Sequence, residues 1–219
     1  MSFQGFGAED FAVFEIPDFE GRMAAIRSRV RPKLIALSGA LADALSKQTG
    51  LTLFPHVAAH ARRKVNPPPD TWLALARSNR GYKRYAHFAV GVQREGAYVR
   101  LVLKPEAEDK GRLAAFLREQ GQSLLANPSL RDYRWHAPVW PTPKATGDLT
   151  RDDLEKLAAH LAGRESSWLA VGVDVPGSDP RLTSVTGVES IARGVVADLL
   201  TLYEAASGER AEAKTTASR

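Results

Sequence analysis

Apolar residues recur along the chain in two patterns, which predict helices toward both ends and strands between them. Apolar residues spaced three and four positions apart, as on one face of a helix, occur in residues 23–45, 107–126, 150–163 and 186–203. Alternating apolar and polar residues, as in a strand with one buried side, occur in residues 71–77, 87–93, 97–104, 131–137 and 167–174. The clearest unit is the hairpin over residues 87–104, with its turn at Glu95-Gly96.

Particular residues indicate where the helices bend, begin or end. Pro32 lies within the first long helix and is expected to kink or split it, because proline lacks an N–H and crowds the preceding turn. Gly50 is expected to end that helix. Thr150 is a candidate N-cap for the helix up to residue 163, and Thr186 with Glu189 fits a capping box for the last helix.

The order of these elements predicts an α+β fold in a single domain over residues 1–206. The central strands follow one another with short links, which favours antiparallel pairing. We therefore expect a central, mainly antiparallel sheet of five or six strands, with about four helices packed mostly on one face. Residues 207–219 have no large apolar anchors and are expected to form a flexible C-terminal tail.

Composition excludes several classes of protein. Hydrophobic residues make up 44% and charged residues 25% of the chain, as in an ordinary globular domain. No apolar run reaches the roughly 18 residues of a membrane helix. The absence of cysteine excludes disulfides, thiol catalysis and cysteine-containing zinc sites. Because the N-terminus has neither a basic nor an apolar leader segment, we expect a cytoplasmic protein with no membrane partner.

The positive charge is concentrated in one segment. Residues 51–90 contain seven lysines and arginines and one acid, Asp70, a net charge of +6, whereas the whole chain has +5. Three of the five histidines, His56, His60 and His87, lie in this segment. Such a segment suits a small anion, an acidic partner protein or an exposed surface without function. The modest charge of the whole chain does not favour nucleic acid as a partner.

Two of these histidines are separated by three residues. If residues 56–64 form a helix, His56 and His60 share a face and are candidate metal ligands or an acid and base. If the stretch forms a strand, both side chains point to the same side. The pattern leaves helix and strand open. No carboxylate lies in this stretch to complete a metal site, so we assign no metal and no cofactor.

Basic and aromatic side chains alternate in a second stretch, residues 80–85. Arginine binds phosphate or carboxylate through two hydrogen bonds, and tyrosine can stack on a ligand ring. Residues 56–63 and 80–87 converge if the strands beside them are neighbours. Trp72, in the strand between them, is assigned to core packing. The predicted ligand-binding residues are His56, His60, Arg62, Arg63, Arg80, Tyr82, Lys83 and His87.

No sequence motif assigns a catalytic residue. The chain contains neither GxxxxGK[ST], nor GxGxxG, nor GxSxG, and its carboxylates are scattered. Our leading hypothesis is a binding domain for a small anionic ligand, phosphorylated or nucleotide-like. The alternatives are a hydrolase or phosphoesterase that uses His56 and His60, and a protein-interaction module with a basic docking strip. Enzymatic activity and oligomeric state stay open at this point.

Residues 54–92 resemble a family of uncharacterised bacterial proteins, the YktB-like proteins. The resemblance rests on FPH, HARR, NPP, DTW, RGYK and HF, in that order along the segment. DFAVF, GRMAAIRSRVRPKL and TLYEAA, elsewhere in the chain, extend it to most of residues 9–206. The resemblance implies a compact α+β domain and no particular reaction, substrate or cofactor.

Overall fold

The computed structural model describes residues 3–61 and 63–210. Arg62 and residues 211–219 lie outside the described part of the chain, and with them most of the predicted tail. Ser207, where the sequence predicts that tail to begin, is the last residue of a helix. Two residues later, Glu209 accepts a hydrogen bond of 3.2 Å from the Tyr203 hydroxyl. None of the helices in the described ranges is long and apolar enough to cross a bilayer.

The described residues alternate between helices and strands in an α+β order. The helices are α1 (Ala8–Phe11), α2 (Phe19–Ala25), α3 (Arg31–Thr49), α4 (Lys110–Leu125), α5 (Arg151–Gly163) and α6 (Val185–Ser207). The strands are β1 (Phe54–Val57), β2 (Asp70–Ala76), β3 (His87–Gln93), β4 (Gly96–Leu103), β5 (Arg134–His136), β6 (Lys144–Ala145) and β7 (Leu169–Pro176).

The strands form one antiparallel sheet in the order β1-β2-β3-β4-β7-β5-β6. The predicted α+β class with an antiparallel sheet is confirmed. The described residues contain seven strands rather than five or six, because β1 and the two-residue β6 lie in stretches without a clear alternation. The predicted hairpin is formed by β3 and β4, and Gln93 lies opposite Gly96. Its turn is therefore at Arg94-Glu95, one residue earlier than predicted.

The first long helix continues through Pro32 without a break. A π turn at Ile26–Val30 joins α2 to α3, and the N–H of Arg31 donates to the carbonyl five residues back. This wide turn lies directly before Pro32, whose ring and missing N–H would disrupt a regular α-helix here. Counting α2, the π turn and α3 as one helix gives five helices in the described part of the chain, against about four predicted.

Two of the three predicted helix ends are confirmed. Gly50 ends α3 in the left-handed region, with φ at 72°, and Thr150 caps α5 by accepting a hydrogen bond from the Asp153 N–H. The predicted capping box of the last helix is wrong. The N-cap is Ser184, because its backbone is still extended, whereas Thr186 already lies in the first turn of α6.

The two faces of the sheet differ in their side chains. On the first face, large apolar residues of the central strands join those of α3, α4, α5 and α6 in the main core. The ring of Phe88 on β3, for example, stacks on Tyr203 of α6 at 5.1 Å. The second face, defined by Trp72, Ala89 and Tyr98, carries a separate and smaller apolar cluster. It bears polar side chains as well, and the candidate site lies there.

Small residues let aromatic rings lie flat on this second face. Gly91 on β3 lies opposite Tyr98 on β4. A Cβ atom at Gly91 would lie 2.0 Å from Cζ of the tyrosine ring, so no larger residue fits beneath it. The Tyr98 hydroxyl donates a 2.7 Å hydrogen bond to Asp70 at the start of β2. This packing ties β2, β3 and β4 together across the second face.

A buried carboxylate fixes the loop between β2 and β3, residues 77–86, which we call the site loop. Asp109 accepts hydrogen bonds from the Ala86 N–H at 2.6 Å, from Arg112 at 2.7 Å and from Arg77 at 3.3 Å. Arg77 also donates to the carbonyl of Ser207 at the end of α6 (2.8 Å). Both ends of the site loop are therefore attached to one fully buried group.

We expect Asp109→Ala to lower the free energy of unfolding by about 3 kcal/mol, because it leaves a buried N–H and two arginines without their acceptor. Urea unfolding measures the change. Glu108→Ala is the matched control: this neighbouring carboxylate is half exposed and pairs with Arg84, so its loss should change stability by less than about 1 kcal/mol. Equal effects of the two substitutions would contradict the assigned role of Asp109.

Candidate functional site

Five aromatic and imidazole rings meet on the second face of the sheet and form what we call the ring cluster: His56, His60, Trp72, Tyr82 and His87. Tyr82 is central, with ring centroids 4.9 Å from His87, 5.7 Å from His56 and 6.5 Å from Trp72. His60 contacts the other side of Trp72 at 5.4 Å. The two stretches singled out in the sequence therefore lie side by side.

Strand pairing explains why these residues share a face. Residues directly opposite in antiparallel strands point to the same side, and every second residue along a strand does so too. His56 lies opposite Ala74, and His87 lies opposite Ala76. Trp72 is two residues before Ala74 on the same strand. The alanines leave room above β2 that Tyr82 of the site loop fills.

The helix-or-strand question for residues 56–64 is settled in part. Strand β1 ends at Val57, and the described residues that follow are irregular, so His56 and His60 do not share a helix face. His60 has a positive φ of 52°, which L-residues rarely adopt. Its Nε2 atom lies 3.1 Å from the Thr71 hydroxyl. Within residues 3–61 and 63–210, no three histidine, aspartate or glutamate side chains are grouped to hold a metal ion.

His60 loses its positive charge at lower pH than an ordinary histidine. Burial lowers its pKa from 6.5, the nearby Asp70 opposes this, and the positive charges of Arg63, Lys104 and Arg31 lower the pKa further. At neutral pH the His60 ring is therefore a neutral hydrogen-bonding group, and the positive charge around it comes from lysine and arginine.

His87 is fully buried and neutral. Its Nδ1 lies 2.9 Å from the carbonyl oxygen of Tyr85, so Nδ1 carries the proton and Nε2 has a free lone pair. Burial lowers the pKa of His87 to about 3, and the nearby Lys104 and His56 act in the same direction. Nε2 has no hydrogen-bond partner in the described structure. His87 is thus an acceptor without a donor.

Tyr82 is partly buried and contacts three of the other four rings of the cluster. Burial raises the pKa of its hydroxyl, while the Trp72 indole N–H lies close enough to lower it in part. The indole N–H does not complete a hydrogen bond, and Nε1 of Trp72 has no partner within the described residues. A donor on Trp72 and an acceptor on His87 therefore both lie unsatisfied against the same tyrosine ring.

Lys104, the residue directly after β4, extends its side chain over the ring cluster. The ammonium group of Lys104 lies 4.4 Å from the centroid of a Trp72 ring, in cation–π contact. Burial lowers the pKa of Lys104, Asp70 opposes this, and the positive charges of Lys83 and Arg63 add to the lowering. Across residues 3–61 and 63–210, Lys104 forms no salt bridge within 4.0 Å.

The other predicted site residues lie around the cluster or away from it. Arg63 is exposed and donates a long hydrogen bond of 3.5 Å to the carbonyl of Asn66. Lys83 is exposed and lies 3.8 Å from a carboxylate oxygen of Glu106. Arg80 is at the exposed tip of the site loop, where its backbone N–H donates to Ser78. Arg62, also predicted as a ligand-binding residue, lies outside the described residues.

Unsatisfied buried polar atoms are concentrated on this face of the sheet. Seven side-chain nitrogen or oxygen atoms of the described residues are buried without a hydrogen-bond partner. Four of the seven are on the second face, across strands β2 to β5: Nε1 of Trp72, Nε2 of His87, Nε of Arg100 and Nε2 of His136. Native proteins rarely leave such atoms unpaired, so their concentration on one face makes that face a candidate site.

Two shallow pockets lie elsewhere on the surface, and none of the seven predicted residues that the structure describes lines them. In the pocket between β7 and α6, of about 320 Å³, Tyr133 donates to Asp198 at 2.6 Å. In the pocket beside α4, of about 630 Å³, Lys110 donates to the carbonyl of Glu165 at 2.7 Å. Asp198 and Lys110 already have hydrogen-bond partners there, so the ring cluster is the better candidate site.

Comparison with known proteins gives a family for the chain. A family model described as a domain of unknown function, DUF1054, matches residues 6–203. The chain belongs to the DUF1054 family. It is also similar to UPF0637 proteins of Bacillus cereus (strain B4264), Bacillus thuringiensis (strain Al Hakam) and Bacillus anthracis (strain CDC 684 / NRRL 3495). Each is 36% identical over 206 residues, which cover 93% of this chain and 98% of the relative.

The DUF1054 match confirms that the chain belongs to an uncharacterised family, as the sequence resemblance implies. These relatives do not carry the name YktB-like, so that finer assignment stays a prediction. Because the DUF1054 description names no reaction, the chemistry of the site has to be argued from its geometry.

Sequence reasoning missed two residues of the site. Trp72, predicted to pack in the core, packs against the smaller apolar cluster of the second face, where it lies half-buried beneath Lys104. Lys104 lies outside the basic segment, residues 51–90, and is not among the predicted ligand-binding residues. The signal for both was strand alternation: Leu73 and Leu103 face the main core, so their neighbours Trp72 and Lys104 face the other side.

His87 gives the sharpest spectroscopic prediction. In long-range ¹H–¹⁵N spectra it should show the tautomer protonated on Nδ1 and should stay uncharged down to about pH 4, because its pKa is about 3. Since unfolding restores a pKa near 6.5, His87 stabilises the fold above that pH and loses this contribution as the pH falls toward 3. A His87 signal that titrates near pH 6.5 in the folded protein would contradict the buried, unpartnered geometry.

Proposed function

We propose that the second face of the sheet binds a small anionic ligand that carries an aromatic ring, such as a phosphorylated or nucleotide-like compound, in the cytoplasm. The observation that carries the proposal is Lys104. Its ammonium group is drawn over the Trp72 ring, where burial disfavours the charge, and no carboxylate pairs with it in the described structure. A bound anion would supply the missing partner.

The charges around Lys104 support an anion rather than a cation as the ligand. Lys83 and Arg63 add positive charge, and both are close enough to lower the pKa of Lys104. Of the two nearby acids, Asp70 accepts a hydrogen bond from Tyr98, and Glu106 lies against Lys83. The excess positive charge should attract a small anion and repel metal ions.

The proposal that the ligand carries an aromatic ring rests on the side chains beneath the Lys104 ammonium group. Phosphate alone would need only donors and positive charge, as a cluster of arginines supplies on many surfaces. Here the lysine lies over an indole ring that is half exposed, and the strand floor beside it is built from Ala74 and Ala89. Flat ring surfaces beside a cation suit a ligand with its own flat ring.

The other two hypotheses, a hydrolase or phosphoesterase and a protein-interaction module, stay predictions. Each would use the site residues in a different way. In a hydrolase that uses His56 as a base, Nδ1 would be the basic atom, because Nε2 donates to the carbonyl of Ser78 at 2.7 Å. His87, with a pKa of about 3, is a weak base near neutral pH. An interaction module would use the exposed Arg63, Arg80 and Lys83 without the rings. Neither alternative explains the position of Lys104.

Calorimetric titration with phenyl phosphate, inorganic phosphate and the four common nucleoside monophosphates tests the proposal. We expect at least one ring-bearing phosphate to bind more tightly than inorganic phosphate, and its affinity to fall with added salt. Lys104→Gln should weaken that binding by about tenfold, because one charge-assisted contact is lost. Lys156→Gln, which removes an exposed lysine on α5, is the control and should leave the affinity unchanged.

Two results would contradict the proposal. One is the absence of binding by every probe at low salt. The other is binding that is equally strong in the wild type and in Lys104→Gln, since the anion would then be held somewhere else.

A further inference from the structure

The side chain of Tyr82 covers a donor and an acceptor that have no partner. The Trp72 N–H lies near the tyrosine hydroxyl without completing a hydrogen bond, and Nε2 of the fully buried His87 lies beneath the same ring, at a centroid distance of 4.9 Å. A residue in its final position would be expected to satisfy at least one of them. Tyr82 fills the space and satisfies neither.

The site loop is built so that its tip can move while its ends stay in place. Ala86 is held by the buried Asp109, the carbonyl of Arg84 accepts from the Glu108 N–H at 3.0 Å, and the carbonyl of Ser78 accepts from His56 at 2.7 Å. Between these anchors, Gly81 precedes the tyrosine with φ at 155° and open space where a side chain would be. A rotation near Gly81 would carry the Tyr82 ring out toward solvent without disturbing the sheet.

We propose that the Tyr82 ring occupies the place of the ligand's ring in the unliganded protein, and that the ligand displaces it to reach Trp72 and His87. This inference rests on the proposed function and names the class of ligand more closely. The displacing ring has to present an acceptor to the Trp72 N–H and a donor to His87 Nε2. Its anionic group would remain near Lys104, over the other part of the indole.

The need for a ring edge with a hydrogen-bond donor beside an acceptor limits the classes of ligand that fit the site. Every nucleobase offers such an edge, whereas a phenyl ring offers the same flat surface and no hydrogen bonds. Nucleoside monophosphates should therefore be preferred over phenyl phosphate. This inference gives Tyr82 a different role from the sequence prediction, in which a tyrosine of this loop stacks on the bound ligand.

Two substitutions test whether the ligand displaces the Tyr82 ring or stacks on it. Tyr82→Ala should raise the affinity for the preferred nucleoside monophosphate by up to about tenfold, because the ligand no longer has to expel the ring. Trp72→Phe keeps a flat ring but removes the N–H. It should weaken the nucleotide by about tenfold and leave phenyl phosphate unchanged. Trp168→Phe, at an exposed tryptophan, is the control and should change neither affinity.

The outcomes distinguish this inference from the proposed function. If Tyr82→Ala weakens nucleotide binding, the tyrosine stacks on the ligand and the displacement is overturned. If phenyl phosphate binds as tightly as every nucleoside monophosphate, the polar ring edge is overturned, while anion binding at Lys104 stands. If no probe binds to the wild type or to Tyr82→Ala, the proposed function fails together with the inference.

Discussion

The buried carboxylate of Asp109 is the interaction on which the candidate site depends. It accepts from the Ala86 backbone and from two arginines, so one fully buried charge joins the site loop, α4 and the end of α6. Without it, the Ala86 N–H and the two arginines would lose this acceptor, and the chain directly before β3 would be held less firmly. Because the anchor lies at the ends of the loop, it positions the tip without holding it rigid.

The second face of the sheet is unusual because four of its buried polar side-chain atoms have no hydrogen-bond partner among the described residues. A buried polar atom without a partner costs about 1–3 kcal/mol, so the four on this face oppose folding. The main core on the other face offsets this through extensive apolar burial. Conflicts of this kind, in which one face of the sheet keeps unsatisfied polar atoms at a cost in stability, are expected at functional sites.

Local sequence patterns predicted most of the fold, because hydrophobic periodicity and end signals such as Gly50 and Thr150 act over a few residues. They failed where two residues were both possible N-caps for the same helix, as Ser184 and Thr186 are for α6. The candidate site was predicted in part: residues near His56 and Tyr82 do meet. Strand alternation indicates that Trp72 and Lys104 face the second side of the sheet, but their contact depends on strand register and on the path of a long side chain, which no local pattern encodes.

The most direct test of this account is the ¹H–¹⁵N spectrum of the four tryptophan indoles during titration with nucleoside monophosphates. The account predicts that the Trp72 N–H signal shifts and saturates, because it gains a hydrogen-bond acceptor. The signals of the fully buried Trp135 and of the distant Trp140, which already donates to Asp153, should stay unchanged. A Trp72 signal that does not move while another indole does, or no shift at any concentration, would contradict it.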